Sequence, residues 1–306
     1  MAIRIDIVDH ATYYRNAPHP ATVYDSAAFV NTVASERCRD VAYVLASDDT
    51  GNVLGMVWGL CPENRAWLSP FSAPYALCST AAGGTSVYPA HIRAIAEHID
   101  NMSGGRWQMT LPPDFYNPEL VGCFAEAFMS YGVEKFTDRN YAHPVEAVLA
   151  PVARRNLRKA VQHGSFSLVT DAPPAEVYNL IAAHHLQLGY AMAMSRQQVL
   201  DTAKAIPMDF FMVMDGGVPA AAAYYQHTAP HIVQMINWGD TAQSRPLRVT
   251  NWMDHAISQH YAKCGIATID LGPGTHHGIP NEGLERFKTS LGCAVSPKHT
   301  ICGRSL

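Results

Sequence analysis

A surplus of positive charge is missing from this 306-residue sequence: 22 Lys and Arg stand against 26 Asp and Glu, a formal net charge of −4. That excludes a protein that coats nucleic acid over a broad surface and leaves room for one local basic patch, so no DNA partner is expected. Long apolar runs are missing too, since none reaches the roughly 18–20 residues of a membrane helix. The opening MAIRIDIVDH carries Arg4, Asp6 and Asp9, so it reads as no secretory leader. The seven cysteines form an odd set without a CxxC pair and read as reduced thiols of a cytoplasmic protein. Nucleophile signatures are absent: there is no GxSxG and no Cys-His pattern. HExxH is absent as well, and the pairs His184-His185 and His276-His277 have no carboxylate at ligand spacing, so no metal is expected. In LGPGTHHG, His277 stands where GxGxxG would need its third glycine, so the stretch is read as a bend out of the strand ending at Leu271.

What is present is a well-filled core composition, 48% apolar and 16% charged, laid out on one plan twice. In the first half, two β-rich runs turn over Asp48–Asn52; a proline-rich loop, a helix near 88–102, the strand RWQMTL, a helix near 118–131 and a strand from Val133 follow. In the second, two runs turn at Asp215-Gly216-Gly217; after them come HIVQMINW, a helix near 247–263, ATIDL, a helix near 283–291 and a strand from Ala294. Gly132 and Gly292 close corresponding helices 160 positions apart, which makes this an architectural repeat of two α/β domains. Pro151 and Gly164 frame a helix of about 151–163 that bridges the halves, placing the domains at 1–150 and 151–306. A further helix starts at Ser195, with Gln198 completing a capping box.

Three features point to a site. On the bridging helix Arg154, Arg155, Arg158 and Lys159 share one arc, with Ala153, Leu157, Ala160 and Val161 opposite; such a stripe either suits a phosphate-bearing ligand or is a solvated face. In EGLERFKTSLG, Leu284, Phe287 and Leu291 mark an apolar face whose i+4 slot is Lys288. That lysine either packs its stem and reaches water with its ammonium, or aims the charge at a ligand. His276 and His277 fall at a strand's carboxyl end, a position that often borders a pocket, and are candidate substrate-binding residues and bases.

RRNLRKAVQHG, VYNLIAAHHLQLGYAMAMSRQQVLD and IDLGPGT…NEGLERFKTSLG together resemble the second domain of the Fem-type aminoacyltransferases, over roughly 150–295. The resemblance implies an α/β (α+β) chain of two tandem GNAT-like domains with mixed, largely antiparallel sheets, a cleft between them, and a C-terminal tail that packs back on the first. It implies an acyltransferase that forms an amide, taking an aminoacyl group from charged tRNA and passing it to a small-molecule or peptide amine, with no cofactor beyond the donor. Lys288 would then stabilise charge on the tRNA end or in the transition state, and Phe287 would shape the pocket. SPFSAPY sits where the family has its proline-containing substrate loop, which makes Tyr75 a substrate contact. Two departures stand out: no carboxylate follows Pro74 in that loop, and no long charged helical hairpin is present. WGDTAQSRPLRVT also lacks the Q/RxxGxG/A loop whose amides cradle the pyrophosphate of acetyl-CoA in ordinary GNAT enzymes. The alternatives are an acyl-CoA-dependent N-acyltransferase and a non-catalytic binding protein on the same tandem fold.

Overall fold

The computed structural model describes residues 2–63, 65–83 and 88–306, so residues 84–87 of the proline-rich loop lie outside it. The chain divides into two compact units, one of residues 1–139, 276–279 and 296–306, the other of residues 140–275 and 280–295. The division therefore falls inside a strand at Arg139 rather than after residue 150, and it returns the end of the chain to the first unit.

The first unit begins with β1 (Arg4–Val8), α1 (His10–Asn16), β2 (His19–Pro20) and α2 (Ala27–Arg37). Then come the hairpin β3 (Asp40–Ser47) and β4 (Val53–Cys61), β5 (Ala66–Ser69), β6 (Ser79–Thr80), α3 (Pro89–Ser103), β7 (Trp107–Thr110), α4 (Pro118–Tyr131) and β8 (Gly132–Pro144). The hairpin turn is held by Asp48, whose carboxylate accepts from the Thr50 amide at 2.8 Å and the Asn52 side-chain amide at 2.9 Å. Strands β1, β3, β4 and β5 run antiparallel in that order, and β5 then pairs parallel with β7. α3 and α4 close the core, where Ile92, Ile95, Ile99, Phe124 and Phe128 meet Trp58 and Trp107.

The second unit repeats the plan with α5 (Pro151–His163), β9 (Phe166–Val169), α6 (Pro174–Gln187), α7 (Arg196–Ala205), β10 (Met208–Asp215), β11 (Val218–Ala229), β12 (Ile232–Asp240), α8 (Val249–Lys263) and β13 (Thr268–Pro273). The short strands β14 (Thr275–His276) and β15 (Ile279–Pro280) follow, then α9 (Glu282–Ser290) and β16 (Ala294–Gly303). Again four antiparallel strands, β9 to β12, precede one parallel pair, β12 with β13. The β10–β11 turn has φ of 56° at Gly216 and 90° at Gly217, which only glycine adopts without strain at both positions. The apolar run of β10 is continuous because both faces of the sheet are covered: Phe211 and Val213 face the α8 side, Phe210 and Met212 the core formed with α6 and α7. α7 starts on the expected Ser195–Gln198 capping box.

Two strands pair with partners from the far half of the sequence. β16 follows α9 yet pairs antiparallel with β7, Thr300 opposite Thr110. β8 follows α4 yet its final residues pair antiparallel with β13, Ile269 opposite His143. Gly132 opens β8 because a Cβ there would collide with the Cys302 carbonyl and the Trp107 ring.

Removal of residues 296–306 is therefore expected to open the first unit rather than trim a tail, since Thr300 and Ile301 are buried beside β7. The loss should be on the order of several kcal/mol from apolar burial and ladder hydrogen bonds together. Hydrogen exchange should show β7 amides losing protection while β10 and β11 amides keep theirs; equal loss in both units would contradict the assignment.

Candidate functional site

α9 is launched by Asn281, whose side chain accepts from the Leu284 amide at 3.1 Å, and it carries Lys288 in its last turn. Lys288 is 3% exposed, so its ammonium does not reach water. It donates to the carbonyl oxygens of Leu271 at 2.6 Å, Gly272 at 2.9 Å and Pro273 at 2.9 Å, one for each ammonium proton. Successive carbonyls of a strand point alternately to opposite sides; the left-handed φ of 72° at Gly272 breaks that alternation and lets three in a row face one cation. The ring of Tyr141 lies 5.9 Å from the same nitrogen. Neither sequence expectation describes this lysine fully: the stem is buried, but the charge caps the end of β13.

The strand end is built from both sides. Asp270, fully buried, accepts from the Gly272 amide at 2.8 Å and the Asn140 side chain at 2.7 Å. Tyr141 donates its hydroxyl to Glu285 at 2.9 Å. Gly274 sits against both of these side chains, and a Cβ there would come within 2.6 Å of each. Phe287 stacks on Trp238 with ring centres 5.8 Å apart and planes at 26°. Both rings pack, partly buried, against the second unit's core.

α5 spans Pro151–His163 with Gly164 left-handed at its end, as read from the sequence. Ala153 and Ala160 are buried, whereas Arg154, Arg155, Arg158 and Lys159 are all exposed. Val161, expected on the apolar arc, is 56% exposed; at 100° per residue it points within about 20° of Arg154, so it belongs to the open face. Arg154 and Arg158, one turn apart, line an open concavity of about 520 Å³ with Pro151 and Leu157. Arg155 and Lys159 are not part of that lining, so the structure brings together two of the four cations. Among the described residues none of the four pairs with a carboxylate.

In the first unit Tyr75 is fully buried, with Tyr24 edge-on at 5.0 Å, Tyr116 at 5.1 Å and the buried Lys298 ammonium 5.8 Å from its ring centre. As a substrate contact it is misplaced, because its neighbours enclose the ring. Beside it the loop does have a carboxylate, supplied from some fifty positions upstream. Asp25 accepts from the Leu77 amide at 3.0 Å and the Thr22 hydroxyl at 2.7 Å, and it lines a small cavity with Tyr24, Phe29, Pro70 and Phe71. Burial pushes its carboxyl up to about 6, against the hydrogen bonds that favour the ionised form. His276 and His277 are exposed and stacked at 4.1 Å, with His277 at 4.6 Å from Phe136 and left-handed at φ 52°.

At the end of β12 another buried carboxylate escaped the sequence reading. Asp240 is 4% exposed, and Arg245 donates to its Oδ1 from Nε at 3.0 Å and from Nη2 at 2.9 Å. Thr250, in the first turn of α8, donates its hydroxyl to Oδ2 at 3.2 Å. Nδ1 of the buried His184 lies 3.0 Å from Oδ1 and accepts from the Asp240 amide at 3.1 Å. The only sequence signal was an Asp and an Arg five apart in a loop, which is common. Among the described residues no three His, Cys, Asp or Glu side chains gather as a metal site. No described helix is long and apolar enough to cross a membrane.

No family model and no curated protein matches this sequence. Solved structures do match. FemX superposes with a TM-score of 0.67 at 10% identity, over 97% of this chain and 96% of FemX. The C-terminal domain of a lysylphosphatidylglycerol synthetase of Agrobacterium fabrum, described as putative in its own name, gives 0.59 at 12%, over 96% and 92%. L-PGS of Bacillus licheniformis gives 0.58 at 10%, over 98% and 94%. The chain thus shares the fold of FemX and of these synthetase structures.

Two measurements check this geometry. Lys288→Met leaves three carbonyls without their cation and should lower stability by roughly 2–4 kcal/mol in denaturant titration; an unchanged midpoint would mean that the ammonium is not seated as described. For Asp25 the folded value lies above the unfolded one, so between about pH 4 and pH 6 the unfolded state binds fewer protons and stability falls as pH rises. Asp25→Asn should lose that slope, so the stability difference between variant and wild type should change with pH across this window; a difference that is flat there would show no such burial.

Proposed function

We propose that this chain is an acyltransferase that makes an amide, taking an aminoacyl group from aminoacyl-tRNA and passing it to the amine of a small molecule or peptide. The observation that carries the reading is the Arg154–Arg158 concavity on α5, two cations one turn apart beside an open volume, on a fold whose solved relatives include FemX and L-PGS. Guanidinium groups bind phosphate oxygens bidentately, and a nucleic-acid end offers them in succession. In the transfer, the uncharged amine attacks the ester carbonyl and a C–N bond forms. The C–O bond to the ribose breaks, the amine loses a proton and the ribose hydroxyl gains one. Positioning and electrostatics can carry such a step without a covalent intermediate.

In this reading Lys288 is a positioning residue. It holds the Leu271–Pro273 carbonyls, and so the backbone beyond β13, in one arrangement, while Phe287 and Trp238 wall the adjoining surface. The reaction would run where charged tRNA is found, in the cytoplasm. An acyl-CoA donor is the competing reading and is separated from the first by salt dependence.

The test is binding of charged tRNA against acyl-CoA at several salt concentrations, followed by transfer of a labelled amino acid to amine acceptors. Removing both charges in Arg154→Ala/Arg158→Ala should weaken tRNA binding about tenfold or more and reduce the salt slope by between one and two. Folding should be unaffected, because both side chains are exposed. A salt slope unchanged by the double substitution, or binding of acyl-CoA in place of tRNA, would sink the proposal.

A further inference from the structure

Two thiols of the first unit meet where α2 leads into β3. Cys38 caps the end of α2, and its amide bonds to the Ala34 carbonyl at 3.0 Å. Cys61 is the last residue of β4, 23 positions on, and the two Sγ atoms lie 4.0 Å apart. The chain between them is the β3–β4 hairpin, whose ladder holds Asp40 opposite Leu60. The Arg39 amide bonds to the Leu60 carbonyl at 3.0 Å. Hydrogen bonds therefore fix the backbone beside both cysteines and keep the sulfurs near each other. Gly59 and Cys61, two apart on β4, face the same side of the strand. A Cβ on Gly59 would collide with Cys38 Sγ and with the Phe71 ring, so the bare glycine makes the room that the Cys38 sulfur occupies. Cys61 is 7% exposed, whereas Cys38 is half-buried and the more accessible of the two.

We propose that Cys38 and Cys61 are a reversible thiol–disulfide site: an oxidised low-molecular-weight thiol of the glutathione disulfide class joins them, and the bond ties α2 to β4. The chemistry balances in two exchanges. The Cys38 thiol gives up its proton and attacks one sulfur of the reagent. The reagent's S–S bond breaks, one thiol leaves and takes up a proton, and Cys38 holds the other as a mixed disulfide. Cys61 then loses its proton and attacks the Cys38 sulfur; the Cys38–Cys61 bond forms and the second thiol leaves protonated. The protein is oxidised by two electrons and the reagent is reduced by two. Exposure assigns the roles, since the accessible sulfur reacts first and its buried neighbour resolves it. A disulfide holds its sulfurs about 2.05 Å apart, so the pair must close by about 2 Å. Rotation about the Cα–Cβ bonds swings each sulfur along an arc, which leaves the backbone little to give. Phe29 and Val30 of α2 and Val57 of β4 line the small cavity beside Asp25, so joining the two elements fixes the spacing of two of its walls. No acyl donor or acceptor takes part, and the site stands whatever group the chain transfers.

The experiment incubates the folded full chain with glutathione disulfide, blocks the remaining thiols with iodoacetamide and maps the peptides by mass spectrometry. Wild type should lose both alkylation sites and yield a peptide linked through Cys38 and Cys61, lighter by two hydrogen masses than its reduced parts. Dithiothreitol should restore both thiols. Cys61→Ser should stop at a glutathione-capped Cys38. In Cys38→Ser, Cys61 should accept glutathione about tenfold or more slowly than Cys38 does in Cys61→Ser. Cys264→Ser, which removes an exposed thiol at the end of α8, should link as wild type does. Hydrogen exchange in the last turn of α2 should slow about threefold or more in the linked protein and recover on reduction. Wild type in which both thiols stay alkylatable, or in which Cys38 stays capped while Cys61 stays free, would overturn the proposal. So would linkage that appears only in urea, or a linked form whose α2 amides exchange as fast as before. The wild-type map needs no substitution, so it decides the matter even where a serine variant fails to fold.

Discussion

A lysine ammonium buried against three successive carbonyls is the constraint on which the second unit's candidate site depends. Burying such a charge is costly unless every proton finds an acceptor, so the backbone from Leu271 to Pro273 must hold the one shape that supplies three. That shape requires the left-handed Gly272, and it places the Gly272 amide where Asp270 can accept it. Asn140 and Tyr141, from the strand paired with β13, complete the surroundings through Asp270 and Glu285. The geometry at the strand's end is thus set by electrostatics rather than by apolar packing, and it stays fixed as long as the cation is in place.

The distribution of cations separates two kinds of work. Lys288 and Arg245 are committed to partners in their own unit, one to carbonyls and one to a carboxylate, and so hold loops still. Arg154 and Arg158 stand exposed on α5, and this helix is anchored by buried Ala153 and Ala160 instead. A chain of net charge −4 can therefore still present a compact positive feature, because α5 carries four Arg and Lys and no Asp or Glu.

Periodicity and glycine placement made much of the layout legible. α5 between Pro151 and Gly164, the capping box of α7, both hairpin turns and α9 all follow from local rules that the fold leaves unopposed. The odd lysine in α9 was visible as a break in an apolar stripe, but its partners were not, since carbonyl oxygens leave no mark in a sequence. Asp25 went unread, and the surroundings of Tyr75 unforeseen, for a related reason. The loop that appeared to lack a carboxylate receives one from a residue 52 positions away, and the tyrosine read as a contact is enclosed by rings from distant segments. Asp240 was passed over because its environment, a helix end and an arginine in a turn, exists only once β12 and α8 are folded.

The exchanged last strands have a consequence for how such a chain comes into being. As it leaves the ribosome, the first unit has strands β1 to β7 in hand but must leave the flank of β7 without β16 until residues 300–302 have been made. The second unit already owns its closing strand, since β8 precedes it. Completion therefore runs against the order of synthesis: the half made first is finished last, and the nascent chain carries an unpaired strand edge for most of its translation. The same arrangement forbids a simple cut at the midpoint. Two separate genes for the halves would each encode strands missing a neighbour, β7 without β16 and β13 without β8, so a descendant of this architecture can lengthen its loops or change its surfaces but cannot readily be divided.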